Sequence, residues 1–230
     1  MKLENSCIIQ MNVEIRNYKG GFRTYMNDTP TSRKPVSLSM AVHQRDALTN
    51  NTKYDKIKSY SLGDGDIHQM IPTLRIMTYP ELLKYDNIED ALDEKGRLLI
   101  LYLTESEKSG HWVSLLKQKR NGKEYIEYFD PYGKYKPDGE SVWLTKSELK
   151  EYGQDTKHLT KLLRDSGLKI TYNKAPFQSE KQNINTCGRW CTTRLYYKHL
   201  SLPQFTKMIQ QCGMNPDDFV SKFTFGLIGK

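Results

Sequence analysis

Residues 97–130 read RLLILYLTESEKSGHWVSLLKQKRNGKEYIEYFD, and the architecture can be worked out from this stretch. It holds three strand patterns, at Arg97–Thr104, His111–Lys117 and Tyr125–Asp130. The first is a continuous apolar run, which is typical of a buried central strand. Asn121-Gly122 separates the last two, and this dipeptide is the strongest short signal for a β-hairpin. The stretch therefore predicts three antiparallel strands at the centre of a sheet.

Helical patterns lie on both sides of these strands, and one further strand is predicted at Leu168–Tyr172. Helix starts are predicted at Asp64 or Asp66, at Tyr79-Pro80, at Thr145 with Glu148, before His158–Asp165, near Thr186, at Ser201 with Pro203, and at Asn215-Pro216. Strands and helices do not alternate one by one, so a parallel βαβ fold is excluded. The predicted class is α+β, with an antiparallel central sheet flanked by helices.

The chain of 230 residues is long enough to bury a substantial core. Residues 1–60 look irregular, and we interpret them as an N-terminal extension or strap; residues 60–230 are predicted to form the main domain. The longest apolar run, Leu98–Leu103, is too short to span a bilayer, and the N-terminus has no apolar signal-peptide core. We expect no membrane association and no secretion.

The formal net charge is +8. Such an excess favours contact with polyanions such as nucleic acid or with acidic protein partners, mainly through faster association and weak non-specific binding. The alternative is that the charge only confers solubility, and the sequence leaves both interpretations open.

Cys187 lies at the predicted start of a helix, after a polar loop and before Gly188. The backbone N–H groups and the positive end of a helix stabilise a thiolate at this position. The same N–H groups can donate to an oxyanion, and a glycine lets a substrate approach the backbone closely. A reactive thiolate also needs a base, normally a histidine held by an acid or an amide.

His111 opens one predicted strand of the hairpin, and Asp130 closes the other. If Asn121 and Gly122 form a two-residue turn, Arg120 pairs with Lys123, and continued outward this register brings His111 and Asp130 close to direct opposition. The imidazole and the carboxylate should then be within reach of each other. Each of the residues Cys187, His111 and Asp130 alone is more often structural than catalytic, and it is their combination that indicates a catalytic triad.

Three segments of this sequence, Gly110-His111-Trp112-Val113, Tyr128-Phe129-Asp130-Pro131-Tyr132-Gly133 and Asn185-Thr186-Cys187-Gly188-Arg189-Trp190-Cys191, resemble the motifs of a known family. In this order they are similar to the His, Asp and Cys motifs of the adenovirus-type (adenain-like) maturation proteases and the related SUMO-specific proteases. The likeness extends from about Tyr60 to the C-terminus. It looks closest to the viral branch found in virophages and Polinton-type elements.

The resemblance implies an adenain-like, papain-like cysteine protease architecture over residues 60–230, with the nucleophile at a helix N-terminus. It implies that Cys187 is the nucleophile, His111 the general base and Asp130 the partner of the base. The family also places a glutamine before the nucleophile as an oxyanion donor. Gln178 matches the apolar-Gln-small pattern but needs a longer loop, whereas Gln182 is nearer and lacks the apolar residue before it. We choose Gln178 and keep Gln182 as the alternative.

The resemblance also implies cleavage of virion and capsid precursor proteins near Gly-rich sites, by a monomer located in the virion and in the cytoplasm or virus factory of the infected cell. No cofactor is expected, although relatives are assisted by DNA. One alternative is a protease that removes SUMO-type modifiers. A second is a non-enzymatic basic protein that binds nucleic acid, although the sequence shows no recognisable nucleic-acid-binding motif.

No metal site is expected. Cys187 and Cys191 lie one helical turn apart, but no second pair with zinc-like spacing accompanies them. Asp64-Gly65-Asp66 lacks the rest of an EF-hand loop and is better explained as a turn that caps a helix.

Overall fold

The computed structural model describes residues 51–106 and 109–229. These residues fall into two compact units. One holds the described parts of 1–73 together with 178–189 and 196–229, and the other holds those of 74–177 together with 190–195. Most of the predicted N-terminal extension, residues 1–50, lies outside the described residues. Its last part is not irregular, because Asn51–Ser59 form helix α1.

The second unit, which we call the sheet unit, is built on five strands in the order β1-β2-β3-β4-β5. Their bounds are Ile76–Thr78, Arg97–Ser106, Ser109–Arg120, Lys123–Phe129 and Lys169–Tyr172. Strands β2, β3 and β4 are the three that the sequence predicts, and they pair antiparallel as expected.

The predicted antiparallel centre of the sheet is confirmed, but the sheet as a whole is mixed. The edge strand β1 pairs parallel with β2, and the edge strand β5 pairs parallel with β4. Parallel neighbours need a crossover connection, and helices supply it in both places. The α+β class, with helices against the sheet, is confirmed.

The hairpin between β3 and β4 forms as predicted. Arg120 pairs with Lys123, and the ladder continues in the same register to Ser114 opposite Phe129. Asn121 and Gly122 both have positive φ, of 50° and 77°, as a tight turn that matches the twist of two strands requires. This turn fixes which residues of the two strands face each other at their far ends.

Alternate residues of the central strands form the core of the sheet unit, as the pleat requires. Leu98 and Ile100 of β2 and Val113 of β3 pack with leucines of helix α5, which spans His158–Asp165. The other helical segments of the unit are a 3₁₀ helix at Tyr79–Lys84, α3 at Ile88–Ala91, a 3₁₀ helix at Gly139–Trp143 and α4 at Lys146–Glu151. Within the described part of the chain, no helix is long and apolar enough to cross a membrane.

The predicted helix starts mostly agree with the structure. Thr145 and Glu148 form a capping box at the start of α4, as predicted. Helix α2, Asp64–Met70, is preceded by Gly63 as its N-cap, so neither aspartate occupies that position; instead the Asp66 carboxylate accepts the Gly63 N–H. The helix predicted to start at Tyr79-Pro80 is a 3₁₀ helix, Tyr79–Lys84.

The first unit, which we call the helical unit, contains α1, α2, α7 (Leu202–Gln211) and α8 (Pro216–Ile228). Ser201 and Asn215 cap the last two helices with their side chains, as the sequence indicates. Helix α6, Cys187–Tyr196, begins at Cys187, in agreement with the start predicted near Thr186. Its first three residues belong to the helical unit, and Trp190–Leu195 belong to the sheet unit.

Candidate active site

His111 and Asp130 form a buried pair in the sheet unit. His111 Nε2 lies 2.9 Å from Asp130 Oδ1, and the two side chains are 5% and 1% exposed. The register of the β3–β4 hairpin explains the pairing, since its continuation beyond Ser114 and Phe129 brings the two residues together. The sequence reasoning predicted this juxtaposition from the hairpin alone.

Backbone groups hold the Asp130 carboxylate in place. Its Oδ1 also accepts the N–H of Tyr132 at 3.0 Å, and its Oδ2 accepts the N–H groups of Lys134 at 3.2 Å and Tyr135 at 3.0 Å. The loop that follows Asp130 thus wraps around the side chain. An ionised acceptor with several charge-assisted bonds of this kind has a well-defined orientation.

Asn173, just after β5, fixes the backbone of Asp130. Its Oδ1 accepts the Asp130 N–H at 2.9 Å, and its Nδ2 donates to the Asp130 carbonyl at 2.6 Å. The side chain thus extends the sheet hydrogen bonding by one residue beyond β5. Sequence reasoning missed Asn173, because its partner lies 43 positions away and no local signal connects them.

Two aromatic rings contact the imidazole of His111. Tyr132 stacks on it with centroids 4.7 Å apart and planes 13° apart, and Trp143 meets it edge-on at 5.1 Å. Trp143 Nε1 donates to the hydroxyl of Tyr135 at 3.2 Å. Tyr132 belongs to the Tyr128–Gly133 segment that resembles a family motif, whereas Trp143 comes from a 3₁₀ helix that was not predicted from the sequence.

Cys187 is the first residue of helix α6, and its thiol is buried and forms no disulfide. It belongs to the helical unit, where the residue before it, Thr186, is fully buried. The Thr186 hydroxyl donates to Asp217 Oδ1 at 2.5 Å. The first turn of any helix has N–H groups without intrahelical partners, and these can serve a thiolate or an oxyanion.

The two candidates for the oxyanion donor differ in their surroundings. Gln178 is buried, and its Nε2 donates to the Ile184 carbonyl at 2.9 Å within the loop that leads to Cys187. Gln182 is exposed in the same loop. A side chain fixed by its own loop is better suited to hold a hydrogen-bond donor in place than an exposed one.

A buried guanidinium lies two residues after Cys187. Arg189 donates to the Thr224 hydroxyl and, at 3.1 Å, to the Ile57 carbonyl. Burial lowers the pKa of Arg189 to about 10, and the nearby Asp66 carboxylate opposes this shift. The first turn of α6 is thereby attached to α1 and α8. Arg189 lies in the Cys187 segment quoted above, but its burial and its partners were not predicted from the sequence.

A second buried arginine holds the later part of α6 against the sheet. Arg194 Nε and its terminal nitrogen donate to the two oxygens of Glu127 on β4, at 2.6 and 2.9 Å. Both side chains are at most 1% exposed. One turn earlier, Cys191 Sγ donates to the Trp112 carbonyl of β3 at 3.2 Å. Cys191 is thus a packing residue of the sheet unit.

Among the described residues, no group of three or more His, Cys, Asp or Glu side chains is arranged to hold a metal ion. Asp66 instead accepts hydrogen bonds from Tyr60 and from the backbone of Gly63.

Two solved structures resemble the fold distantly. They are two crystal structures, one of them of the selenomethionine form, of the ASFV pS273R protease. The first is 9% identical with a TM-score of 0.41 over 95% of this chain and 88% of that chain; the second is 12% identical with a TM-score of 0.36 over 95% and 89%. At this level of similarity neither structure defines the role of any residue here.

The relation in sequence is much closer. No family model matches the chain. However, the uncharacterized protein V9 of Sputnik virophage is 34% identical over an alignment of 177 residues, with coverage of 74% of this chain and 96% of that protein. The chain therefore belongs to the same family as protein V9 of the Sputnik virophage.

Proposed function

We propose that this chain is a cysteine endopeptidase in which Cys187 is the nucleophile, His111 the general base and Asp130 the residue that orients the base. The observation that carries the proposal is the buried 2.9 Å contact between His111 Nε2 and Asp130 Oδ1. A carboxylate whose other contacts are all backbone N–H donors can accept from the imidazole, and it holds the ring in one tautomer.

The contact determines which ring nitrogen acts as the base. If Nε2–H donates to Asp130, the neutral imidazole has its lone pair on Nδ1. Nδ1 then takes the thiol proton, and the carboxylate stabilises the imidazolium that forms. The stacked ring of Tyr132 keeps the imidazole from tilting away from this orientation.

The reaction then follows the general course of acyl transfer. The Cys187 sulfur attacks the scissile carbonyl carbon, and the thiol proton passes to His111 Nδ1. Backbone N–H groups at the start of α6 stabilise the tetrahedral oxyanion, together with a side-chain amide for which we propose Gln178. The imidazolium gives its proton to the leaving amine; water, deprotonated by His111, then hydrolyses the thioester and releases the thiol.

The proposal requires the Cys187 thiol to react as a partner of His111. A peptide-hydrolysis assay on wild type, Cys187→Ser and His111→Ala tests it, with Cys191→Ser as the control. Cys191 is the other buried cysteine of α6 that forms no disulfide, and its thiol donates to the Trp112 carbonyl, which a serine hydroxyl can also do. We expect the first two variants to lose at least about 10³-fold in kcat/KM and the control to stay near wild type. Equal activity of Cys187→Ser and wild type would overturn the proposal.

For the substrate we propose virion or capsid precursor proteins, cut near glycine-rich sites. Membership of a family that occurs in a virophage supports a viral precursor over a cellular modifier. Incubating the enzyme with the co-expressed capsid precursor, and separately with a SUMO-type modifier fused to a reporter, compares the two substrate classes. Cleavage of the fusion alone would instead favour the deconjugating protease, and cleavage of neither would favour a non-enzymatic protein.

We further propose that the enzyme is a monomer, packaged in the virion and present in the cytoplasm of the infected cell, and that non-specific DNA can stimulate it. The charge of +8 supports the last point. Duplex DNA should then raise the hydrolysis rate at low salt, and the stimulation should vanish as salt is raised, because counterions compete for the phosphates. Stimulation that is insensitive to salt would contradict an electrostatic origin.

A further inference from the structure

A single buried carboxylate connects two segments of the helical unit that the proposed mechanism uses. Asp217 lies in the first turn of helix α8 and is 3% exposed. The cap residue of that helix, Asn215, accepts the Asp217 N–H at 2.9 Å through its side chain. Asn215 thus fixes the backbone of Asp217, whereas the Asp217 carboxylate binds residues outside helix α8.

One oxygen of this carboxylate binds the loop that carries Gln178. Asp217 Oδ2 accepts the Ser179 N–H at 3.0 Å, and Ser179 directly follows Gln178. The side chain of Gln178 in turn bonds the Ile184 carbonyl at 2.9 Å. The loop is thus held both at its beginning, by Asp217, and across its width, by Gln178.

The other oxygen binds the residue before the proposed nucleophile. Asp217 Oδ1 accepts the hydroxyl of Thr186 at 2.5 Å, and Thr186 is fully buried immediately before Cys187. Thr186 is therefore fixed in position just where helix α6 begins. The two oxygens belong to one rigid group, so the two segments cannot shift independently while both bonds are intact.

We propose that Asp217 is a positioning residue, which sets the distance between the oxyanion donor Gln178 and the nucleophile Cys187. This inference rests on the proposed function, since it assigns a purpose to Asp217 only if these two residues act in one reaction. Hydrogen-bond donors for an oxyanion are effective only within narrow limits of position, and an error of 1 Å costs about 100-fold in rate. A carboxylate with one oxygen on each segment meets this demand.

The chain contains a matched control for the purely structural effect of an acid in this helix turn. Asp218 is the next residue in the same turn, carries the same charge and reaches the exposed side, where it pairs with Lys58 at 3.1 Å. Replacing either aspartate by alanine removes one favourable charge from the helix N-terminus. Only the replacement of Asp217 also releases Ser179 and Thr186.

Three variants separate the contacts. Asp217→Ala removes both bonds, and Thr186→Val removes one of them while nearly conserving volume. Asp217→Asn can keep both, because the amide oxygen can accept the Ser179 N–H while the amide nitrogen donates to the Thr186 hydroxyl, which accepts as readily as it donates. The asparagine variant therefore tests whether geometry, and not charge, is what Asp217 provides.

The experiment measures kcat and KM for peptide hydrolysis, together with amide hydrogen exchange at Ser179, on the full chain. We expect Asp217→Ala to lower kcat by about 100-fold with a smaller change in KM, and Asp217→Asn and Asp218→Ala to stay within about fivefold of wild type. Exchange at Ser179 should speed up in Asp217→Ala and not in Asp218→Ala. The losses of Asp217→Ala and Gln178→Ala should fall short of additive in the double variant, because they disturb the same donor.

The outcomes distinguish a failure of the positioning role of Asp217 from a failure of the proposed protease function. If the wild type hydrolyses peptide and folded Asp217→Ala is as fast as Asp218→Ala, the positioning role is wrong and the protease assignment stands. If Asp217→Ala does not fold, the other two variants decide. The positioning role is overturned if Thr186→Val keeps the wild-type kcat, or if Asp217→Asn folds but has lost about 100-fold in kcat. If Cys187→Ser is as active as wild type, the proposed function and this inference fail together.

Discussion

Replacing Asp130 by asparagine should abolish activity through the tautomer of His111, at a modest cost in stability. The carboxylate has two donors on each oxygen: His111 and the Tyr132 N–H on Oδ1, and the Lys134 and Tyr135 N–H groups on Oδ2. An amide has only one oxygen. It should take the place of Oδ2, because that orientation keeps two backbone bonds and leaves only one N–H, that of Tyr132, without an acceptor.

The magnitudes follow from this arrangement. Because the Tyr132 N–H is only partly buried, leaving it without its acceptor costs at most about 1–3 kcal/mol of folding free energy. The amide nitrogen would now face His111 Nε2 and donate to it, which moves the ring proton to Nδ1 and removes the lone pair that is to accept the thiol proton. In a serine protease the corresponding change costs about 10⁴-fold in kcat, and we expect a loss of this order here.

The assay pairs urea unfolding with peptide hydrolysis. Asp138→Asn is the matched control, since Asp138 is also a buried acid of the sheet unit and accepts from the Tyr79 hydroxyl at 2.6 Å and the Thr160 N–H at 2.8 Å. An amide can serve both partners, and the backbone at Asp138 has a positive φ that asparagine tolerates. The control should keep its kcat. A folded Asp130→Asn variant within tenfold of wild-type kcat/KM would refute the tautomer argument.

Two further predictions concern stability. Arg194→Met should lower the free energy of unfolding by about 3–5 kcal/mol, because it leaves Glu127 as an unpaired buried charge. In urea unfolding, the double variant Glu127→Leu/Arg194→Met should lose less stability than either single variant. A double variant that loses the sum of the two single losses would contradict this. Burial, with the Asp138 carboxylate nearby, raises the pKa of Tyr79 above its ordinary value of 10.0. Above pH 10 the folded protein therefore keeps a phenol proton that the unfolded chain loses. The contribution of Tyr79 to the free energy of unfolding is complete below pH 10 and declines as pH rises above it. The stability difference between wild type and Tyr79→Phe should therefore shrink above pH 10, and a constant difference between pH 9 and 11 would refute the assignment.

The hairpin could be predicted from sequence because its determinants are local. Asn121-Gly122 sets the turn, the turn sets the register, and the register brings His111 to Asp130. The helix caps at Thr145 and Ser201 were predictable for the same reason, since each depends on a residue three positions away. Local chemistry therefore accounts for two of the three residues of the candidate triad.

The remaining features depend on distant partners. The parallel edge strands are three and four residues long, and their pairing depends on how the intervening helices cross the sheet. Asn173 supports Asp130 from 43 positions away, and Asp217 holds Thr186 from 31 positions away. No periodicity or turn signal links such residues, so only the fold reveals them.

The central claim is that Cys187 is a nucleophile activated by His111. A peptide that ends in Gly-Gly with a thiol-reactive electrophile tests it, and mass spectrometry measures the site of attachment and its rate in wild type and in His111→Ala. Cys191, which also forms no disulfide, is the internal control. We predict an adduct on Cys187 alone, formed at least about tenfold more slowly without His111. Equal rates in the two proteins, or an adduct on Cys191 and none on Cys187, would contradict the account.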